Sequence, residues 1–485
     1  MRRVAISLFA FLAFATSCAG ERPTFDDSAA REVDPVDVEE TTTTVAAERP
    51  VVRLAVADGW SLDPADAGPA SLTNRVVADL LYEGLTSLDD FGLPQAGRAE
   101  RWFASEDRLT WTFVLGDTLV DGAGETFSAR DAKLSLERIA ARGASDQAAS
   151  ALMSINGWAD YMAGTTGGVA GISAPDGTTL VVRLDTANEL LLDVLASPAF
   201  GLTGTTVDGS LRTTGAFRPT SDPVRFEAVS SDNPIAAIDL VSHAGGPAAA
   251  FAAGSVDWAV LDTDDDSTRL DADIVRQPLD LQIALVARQP DEEDRRGTLG
   301  AVESLTLANS VPGLTARSVP RVQGDHPLPT SITVDVPVGA LIPLGEALVA
   351  QLEGAGASVD VVFAEPEDFA ARIASGEAEV FPVIIAGGTG PASGVLRLAV
   401  PGAIDDVFGP QSQARAELAE AVVTEFDLEQ RSLFAGALER ALIEDGLLLP
   451  IGRYEVRVAL GHRLDGLRHR SDGTLDLRTV EIADS

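Results

Sequence analysis

Hydrophobic residues recur along this chain with two different periods, and together these periods predict an α/β fold. In Val52–Val56 and Trp111–Leu115 every second residue is apolar, which is typical of a half-buried strand. In Leu72–Leu81 the apolar residues are separated by three and four positions, which predicts a helix.

Two further helices are predicted from their ends. Ser128 precedes the apolar face of Ala132–Ile139, and Asp131 completes a variant of the capping box with it. The last helix covers Leu433–Leu442 and is predicted to end at Gly446.

The clearest unit lies between Ser331 and Ala386, where strand and helix patterns alternate. In order they are the strand Ile332–Val336, the helix Leu344–Leu352, the strand Val359–Phe363, a helix around Phe369 and Ile373, and the strand Val380–Ala386. This order predicts a parallel sheet with right-handed crossovers. The third strand runs into Gly387, Gly388, Thr389 and Gly390. Open α/β sheets bind ligands at such carboxyl ends of strands.

The amino terminus has the order of a secretory signal that ends at a lipidation site. Arg2 and Arg3 precede the apolar run Val4–Ala15, and small residues lead to Cys18, the only cysteine. The run is shorter than the ~20 residues of a membrane-spanning helix. We therefore expect residues 1–17 to be a signal peptide and Cys18 to carry the lipid, with a plain secreted protein or an uncleaved anchor as the alternative.

Composition limits what the mature chain can be. Its 485 residues are too many for one core, so two or three compact units are expected. The net charge of −38 argues against nucleic acid and bare anionic lipid as partners. Residues 18–50 are rich in Asp, Glu, Pro and Thr, which indicates a disordered acidic tether behind the anchor.

The sequence contains no convincing catalytic constellation, so an enzyme is not expected, and neither is a cofactor. The four histidines lack metal-ligand spacing. Asp262, Asp264 and Asp266 imitate a calcium loop, but Ser267 stands where the turn needs glycine. A solvated acidic loop is favoured, and calcium binding stays open. The segment Gly387–Gly390 lacks the lysine of a phosphate-binding loop.

Several stretches resemble one family, the dipeptide/oligopeptide-type extracellular solute-binding proteins of ABC importers. The stretches that resemble its motifs are Ser61–Pro64, Leu80–Thr86, Gly92–Pro94, Ala99–Trp102, Ser105–Leu115, Asp121–Gly122, Phe127–Ala132, Thr214–Phe217 and Ala253–Asp257. They cover roughly Val51 to Asp257, and the match is weaker beyond.

This resemblance implies the two-lobed, type II periplasmic-binding-protein-like α/β fold with an accessory α+β subdomain. Residues 51–258 plus 443–485 would form the first lobe, including the subdomain at about residues 76–177. Residues 259–442 would form a diverged second lobe.

The ligand would lie between the lobes, where the chain departs from the family. Peptide binders of this family carry a G-W-x-x-D type loop after the strand that corresponds to Val380–Ala386, whereas here Gly388 and Pro391 replace its tryptophan and aspartate. We expect ligand contacts from Trp60, Asp66, Ala67 and Gly68 on the first lobe and from Gly387, Gly388, Thr389 and Gly390 on the second. An ordinary packed aromatic is an equal alternative for Trp60.

The expected function is that of a lipid-anchored solute-binding protein, outside a bacterial cell membrane. It would deliver a small peptide-like or other solute to ABC permease subunits, and we expect a monomer. The alternative is a degenerate binding scaffold that acts through protein contacts in envelope assembly or regulation.

Overall fold

The computed structural model describes residues 49–68, 71–89, 93–116, 119–142, 152–205, 210–261, 270–317, 326–339, 341–386, 399, 403–470, 472–477 and 480–482. Cys18, the predicted tether, Asp262–Asp266 and Gly387–Gly390 lie outside these residues.

Twenty-three strands and twelve α-helices are numbered here in chain order. The strands are β1 Val51–Ala55, β2 Thr86–Leu88, β3 Pro94–Ala96, β4 Ala99–Ala104, β5 Thr110–Leu115, β6 Ile172–Ser173, β7 Thr179–Arg183, β8 Gly204–Thr205, β9 Leu211–Arg212, β10 Phe217–Pro219, β11 Arg225–Ala228, β12 Ala237–Val241, β13 Trp258–Leu261, β14 Asp273–Ala287, β15 Leu314–Ala316, β16 Ser331–Pro337, β17 Ser358–Ala364, β18 Val380–Ala386, β19 Leu448–Leu460, β20 Leu464–Asp465, β21 Arg468–His469, β22 Leu475–Asp476 and β23 Glu481–Ile482. The helices are α1 Leu72–Leu81, α2 Ala129–Arg142, α3 Trp158–Met162, α4 Leu191–Leu195, α5 Gly246–Ala252, α6 Glu292–Gly300, α7 Ser304–Ser310, α8 Ile342–Gly354, α9 Pro366–Ser375, α10 Ala403–Phe408, α11 Gln413–Thr424 and α12 Leu428–Glu444. Short 3-10 helices cover Pro64–Asp66 and Pro198–Phe200.

One mixed sheet runs through both lobes, in the order β10-β11-β12-β1-β13-β19-β14-β18-β16-β17, with β15 added on β19. In the first lobe β1 pairs in parallel with β12 and β13. The alternation predicted for β1 is confirmed, because Val52 and Leu54 are fully buried. Their core also takes in helix α1, which has the predicted bounds.

An antiparallel sheet in the order β4-β5-β7-β6 carries α2 and forms the accessory α+β part of the fold. The predicted start of α2 is confirmed. Ser128 donates its backbone N–H to Asp131 Oδ2 at 2.9 Å, and its hydroxyl donates to the same oxygen at 2.6 Å. The predicted face of α2 is buried at Ala132, Leu136 and Ile139.

The second lobe contains the predicted parallel unit. β16 pairs in parallel with β17 and with β18, and α8 and α9 make the two connections. The predicted last helix is confirmed as α12. At its end Gly446 adopts the left-handed φ of 68°, a conformation that favours glycine. Leu433, placed in this helix by the sequence, is 59% exposed.

Two long antiparallel strands, β14 and β19, connect the lobes. Their pairing is regular from Asp273 to Pro278, shifts register, and resumes at Gln282 opposite Arg453. At the shift Leu279 and Leu281 form a small cluster of their own. The apolar residues of the described segments on either side belong to separate cores.

Candidate ligand-binding cleft

The loop that follows β1 lies at the carboxyl edge of the first lobe and is held by its own side chains. The backbone N–H of Ser61 donates to Asn74 Oδ1 at 2.9 Å. The Ser61 hydroxyl donates to Asp66 Oδ2 at 2.7 Å. Asp63 accepts the N–H of Ala65 at 3.0 Å and thereby starts the 3-10 helix.

Two arginines of α2 fix this loop to the accessory sheet. Arg138 Nη1 lies 3.0 Å from Asp63 Oδ2, and Arg142 Nη1 lies 2.5 Å from the same oxygen. Arg142 Nη2 also lies 2.8 Å from Asp66 Oδ1. The carboxylate of Asp66 therefore already has a hydroxyl and a guanidinium as partners.

The predicted contact residues of the first lobe occupy different environments. Trp60 is half-buried, with its ring edge-on to Phe226 at a centroid separation of 6.0 Å. Ala67 is fully buried, and its carbonyl accepts from Arg75 Nη1 at 3.3 Å. The carbonyl of Gly68 accepts from the N–H of Ser71 at 3.1 Å. Of these residues, Trp60 and Asp66 present side-chain surface to solvent.

The carboxyl ends of β16, β17 and β18 share one edge of the second lobe because these strands are parallel. Beside the end of β17, a groove of about 630 Å³ is lined by Val338, Phe363 and residues of α9. Arg372 forms part of its wall. Its Nε lies 2.6 Å from Oδ1 of the fully buried Asp335, and this hydrogen bond raises the pKa of the guanidinium.

A further contact joins the two lobes, and no sequence pattern indicated it. The N–H of Glu189 donates to the carbonyl of Val423 at 2.8 Å. Burial raises the pKa of the Glu189 carboxyl, while Arg108, 3.6 Å from its Oε1, acts in the opposite direction. The guanidinium carbon of Arg108 also lies 5.4 Å from the ring centroid of Phe426.

The described residues offer surfaces for binding. Within the described ranges no group of three or more His, Cys, Asp or Glu could hold a metal ion. Each helix of the described part is too short or too polar to cross a bilayer.

Comparisons with known proteins agree with this geometry. Residues 94–288 match the family model "Bacterial extracellular solute-binding proteins, family 5 Middle". The sequence matches no curated protein.

Among solved structures, the murein tripeptide binding protein MppA of Escherichia coli aligns with a TM-score of 0.68 at 18% identity, over 91% of this chain and 100% of MppA. OppA of Haemophilus influenzae, in complex with the peptide RPPGFSPFR, aligns with a TM-score of 0.67 at 16% identity, over 90% of this chain and 99% of OppA. NikA of Brucella suis, in complex with Fe(III)-EDTA, aligns with a TM-score of 0.65 at 16% identity, over 90% and 100%.

At these identities the structural likeness establishes the fold alone. The resemblance to a family rests on the match of residues 94–288. The fold is that of a type II periplasmic binding protein, as predicted. The resemblance to the peptide-type extracellular solute-binding proteins of ABC importers is confirmed, with residues 94–288 matching the middle part of family 5.

Proposed function

We propose that this protein is a lipid-anchored extracellular receptor that binds a small solute between its lobes and delivers it to an ABC permease. The observation that carries the proposal is the pair of strands β14 and β19, which join two separately packed lobes through a break in register. Such a connection supports closure of two rigid bodies around a ligand. The family match over residues 94–288 points the same way.

The proposed lobes meet within these two strands. The first would extend to Pro278 and resume near Glu455, and the second would cover the chain between them. This division rests on the register shift, which falls inside β14. We propose these later boundaries in place of residues 258 and 442, and the pairing of β13 with β1 and β19 in one sheet supports the first of them.

The proposed ligand contacts come from the carboxyl edges of both lobes: Trp60, Asp66, Ala67 and Gly68 facing Gly387–Gly390. The ligand is a peptide-like or other small solute. We propose that a free amine does not anchor it, because Pro391 occupies the position of the family's amine-binding aspartate. A closed cleft would hold an isolated ammonium only at a cost of several kcal/mol.

The experiment is to purify the protein without unfolding, identify retained solutes by native mass spectrometry, and test them in melting assays. A true ligand at one hundred times its Kd stabilises the protein by about 2.7 kcal/mol. We expect no melting shift from a panel of di- to pentapeptides. A shift that disappears when the same peptide is N-acetylated would overturn the amine proposal. A protein that retains no solute and fails to associate with any permease would favour the scaffold function.

Attachment to the membrane is proposed through Cys18. Each buried methylene of an acyl chain contributes about 0.8 kcal/mol to membrane binding. The variant Cys18→Ser is therefore expected in the soluble extracytoplasmic fraction. If it stays with the membranes after a mild salt wash, the lipid-anchor assignment is wrong.

A further inference from the structure

The first lobe contains a solvent-accessible cavity of about 570 Å³, and none of the proposed cleft contacts lines it. Ser230 and Asn233 line it, and their carbonyls both accept from Arg49 Nη1 at 3.0 Å. Arg49 precedes β1, whereas Trp60 lies in the loop at the other end of that strand. The cavity reaches as far as this loop, because Tyr82, which lines it, donates its hydroxyl to the carbonyl of Leu62 at 2.9 Å.

The volume and the walls of this cavity suit a small organic molecule. Ligand pockets usually enclose about 300–1,000 Å³, with mostly apolar walls and a few polar groups. Here the half-buried Leu88 and Leu477 supply apolar surface. The cavity also lies against the end of α1 and against the segment from Arg470 to Leu477.

Three carboxylates and two guanidinium groups line the cavity, and two of the carboxylates have free acceptor oxygens. Glu83 Oε2 pairs with Arg98 Nε at 2.8 Å, but in the described part of the chain Glu83 Oε1 has no hydrogen-bond partner. The Glu83 side chain is 44% exposed, and that of Arg98 only 10%. Arg98 is thus fixed in the wall, while Glu83 presents an oxygen to the space.

Asp472 presents the second free oxygen. Its Oδ1 accepts from the N–H of Thr474 at 3.0 Å and from the Thr474 hydroxyl at 2.7 Å. Among the described residues no cation pairs with its carboxylate. Arg75 donates to the backbone carbonyl of Asp472 at 2.6 Å and lies next to this wall.

The balance of charge around the cavity is negative. Arg470 Nη1 lies 3.4 Å from Asp79 Oδ1, and Arg470 Nη2 lies 3.8 Å from Asp476 Oδ1. Among the described residues that line the cavity, three carboxylates meet two guanidinium groups, and Glu83 and Asp472 are both partly exposed to solvent.

We propose that this cavity is a second ligand site, which takes a small organic cation with an ammonium or amidinium group on an apolar body. The cationic group would donate to Glu83 Oε1 and to the free oxygen of Asp472, and the body would lie on Leu88 and Leu477. Burial raises the pKa of Glu83, with a smaller opposing effect of Arg98. A cation beside this carboxylate favours its charged form.

The test uses the full chain and para-fluorophenethylamine, followed by fluorine NMR. The matched probes are para-fluorophenethyl alcohol, which lacks the charge, and para-fluorophenylacetate, which reverses it. We expect the amine to bind roughly tenfold more tightly than the alcohol, a difference of about 1.4 kcal/mol. The acetate is expected to show no binding. Absence of amine binding at millimolar concentration, or equal binding of the three probes, overturns the proposal.

Variants locate the binding. Glu83→Gln and Asp472→Asn keep the side-chain shapes and are each expected to weaken amine binding several-fold, and Ser87→Phe is expected to abolish it by filling the cavity. The matched control Glu106→Gln changes an exposed carboxylate of the accessory sheet and should leave binding unchanged. Wild-type affinity in Glu83→Gln and Asp472→Asn would overturn the site.

Removal of the Glu83 charge leaves Arg98 unpaired, so folding of each variant is checked by its melting curve. If Glu83→Gln does not fold, Asp472→Asn and Ser87→Phe decide the question. None of these residues is part of the proposed cleft. A negative result here therefore leaves the test of solute delivery unaffected.

Discussion

Each lobe contains three parallel strands of the mixed sheet, but the acidic residues of the two lobes could be interpreted from the sequence to very different degrees. In the first lobe, three aspartates of the family-like motifs make contacts that hold the fold together. Asp63 binds two arginines of α2, Asp131 caps that helix, and Asp257 binds Arg53 and Arg463. In the second lobe, the fully buried Asp335 pairs with Arg372, and no sequence motif predicted this pair.

This difference explains why the family is recognisable and the ligand is not. Asp121 is a further example, since its side chain is fully buried and lies 2.7 Å from Arg212 Nη1. Motifs that carry structural hydrogen bonds identify a fold, whereas ligand contacts lie on loops that vary independently. The motif residues of the first lobe therefore support the architecture and say little about what binds.

The largest effect is expected from Asp257→Asn. The Asp257 side chain is 5% exposed and accepts from Arg53 and Arg463, including 2.6 Å from Arg463 Nη2 to its Oδ2. These arginines also lower the pKa of its carboxyl, against the opposing effect of burial. Removing the charge leaves two guanidinium groups without their partner, so we expect a loss of about 3–5 kcal/mol in the free energy of unfolding.

Chemical denaturation measures this loss, with Asp239→Asn as the control. Asp239 pairs with Arg225 at 3.0 Å, but both side chains are about one-third exposed, at 29% and 37%. Its loss is expected to cost less than about 1 kcal/mol. Equal losses in the two variants would show that Asp257, which belongs to a family-like motif, stabilises the first lobe no more than the partly exposed Asp239 does.

In the second lobe, Arg372→Ala is expected to lower the free energy of unfolding by about 3 kcal/mol. It leaves the carboxylate of Asp335 buried with only the N–H of Glu379, at 3.4 Å, as a remaining donor in the described chain. Glu377→Gln serves as the control. Glu377 is the other carboxylate that pairs with Arg372, and its side chain is 65% exposed. A small loss in Arg372→Ala would mean that only the motif-bearing lobe depends on such pairs.

Sequence patterns predicted those parts of the fold that depend on local periodicity. β1, α1, α2 and the alternating unit from β16 to β18 follow from spacing and capping, because burial of one face determines them. The Glu189–Val423 contact could not be predicted. It joins residues more than two hundred positions apart through a backbone hydrogen bond, which leaves no trace in side-chain pattern.

The candidate site was predictable only in part, for the same reason. The loop after β1 could be placed because it follows a strand, yet nothing in its sequence indicated that Arg138 and Arg142 would bind Asp63. The lobe-1 cavity left no local pattern either, since its walls come from six separate segments. Glu83 and Arg98, which belong to or adjoin family-like motifs, were the signal that could have suggested it.

A pH dependence of about 2 kcal/mol is expected from His469 of the first lobe. Its ring is buried against Trp258, and burial lowers its pKa from 6.5 to about 4. Between these values the unfolded chain binds a proton that the folded chain does not. The free energy of unfolding therefore falls as pH decreases, by about 2 kcal/mol between pH 7 and pH 5.

Urea unfolding of His469→Asn measures this contribution, since asparagine retains a donor for the carbonyl of Gly473, which lies 3.1 Å from Nδ1. We expect its stability to change less between pH 7 and pH 5 than that of the wild type. His462→Gln is the control. Hydrogen bonding to Asp271 raises the pKa of this exposed histidine, so its contribution has the opposite sign and is lost as pH rises. An unchanged slope in His469→Asn would contradict the assignment.

The smallest expected effect concerns the contact that joins the two lobes. Arg108 is the one non-glycine residue with positive φ among those described, at 59°, and it directs its guanidinium over Phe426. Substituting Arg108 would also remove its ion pair with Glu189, so Phe426→Leu is the cleaner change. Because Phe426 is 67% exposed, loss of the cation–π contact should cost only about 0.5–1 kcal/mol.

A contact of this energy between the two lobes changes the relative populations of their open and closed arrangements more visibly than it changes the free energy of unfolding. A difference of 0.5–1 kcal/mol corresponds to a shift of roughly two- to fivefold in a two-state equilibrium. We therefore expect Phe426→Leu to increase the interlobe distance measured by fluorescence transfer, with a melting curve close to that of the wild type. Phe103→Leu, at a residue that is 57% exposed on β4, is the control. An identical distance distribution in all three proteins would show that the contact of Arg108 with Phe426 does not hold the lobes together. The hydrogen bond from Glu189 to Val423 and the ion pair of Arg431 with Asp193, at 3.8 Å, would then be the contacts to test next.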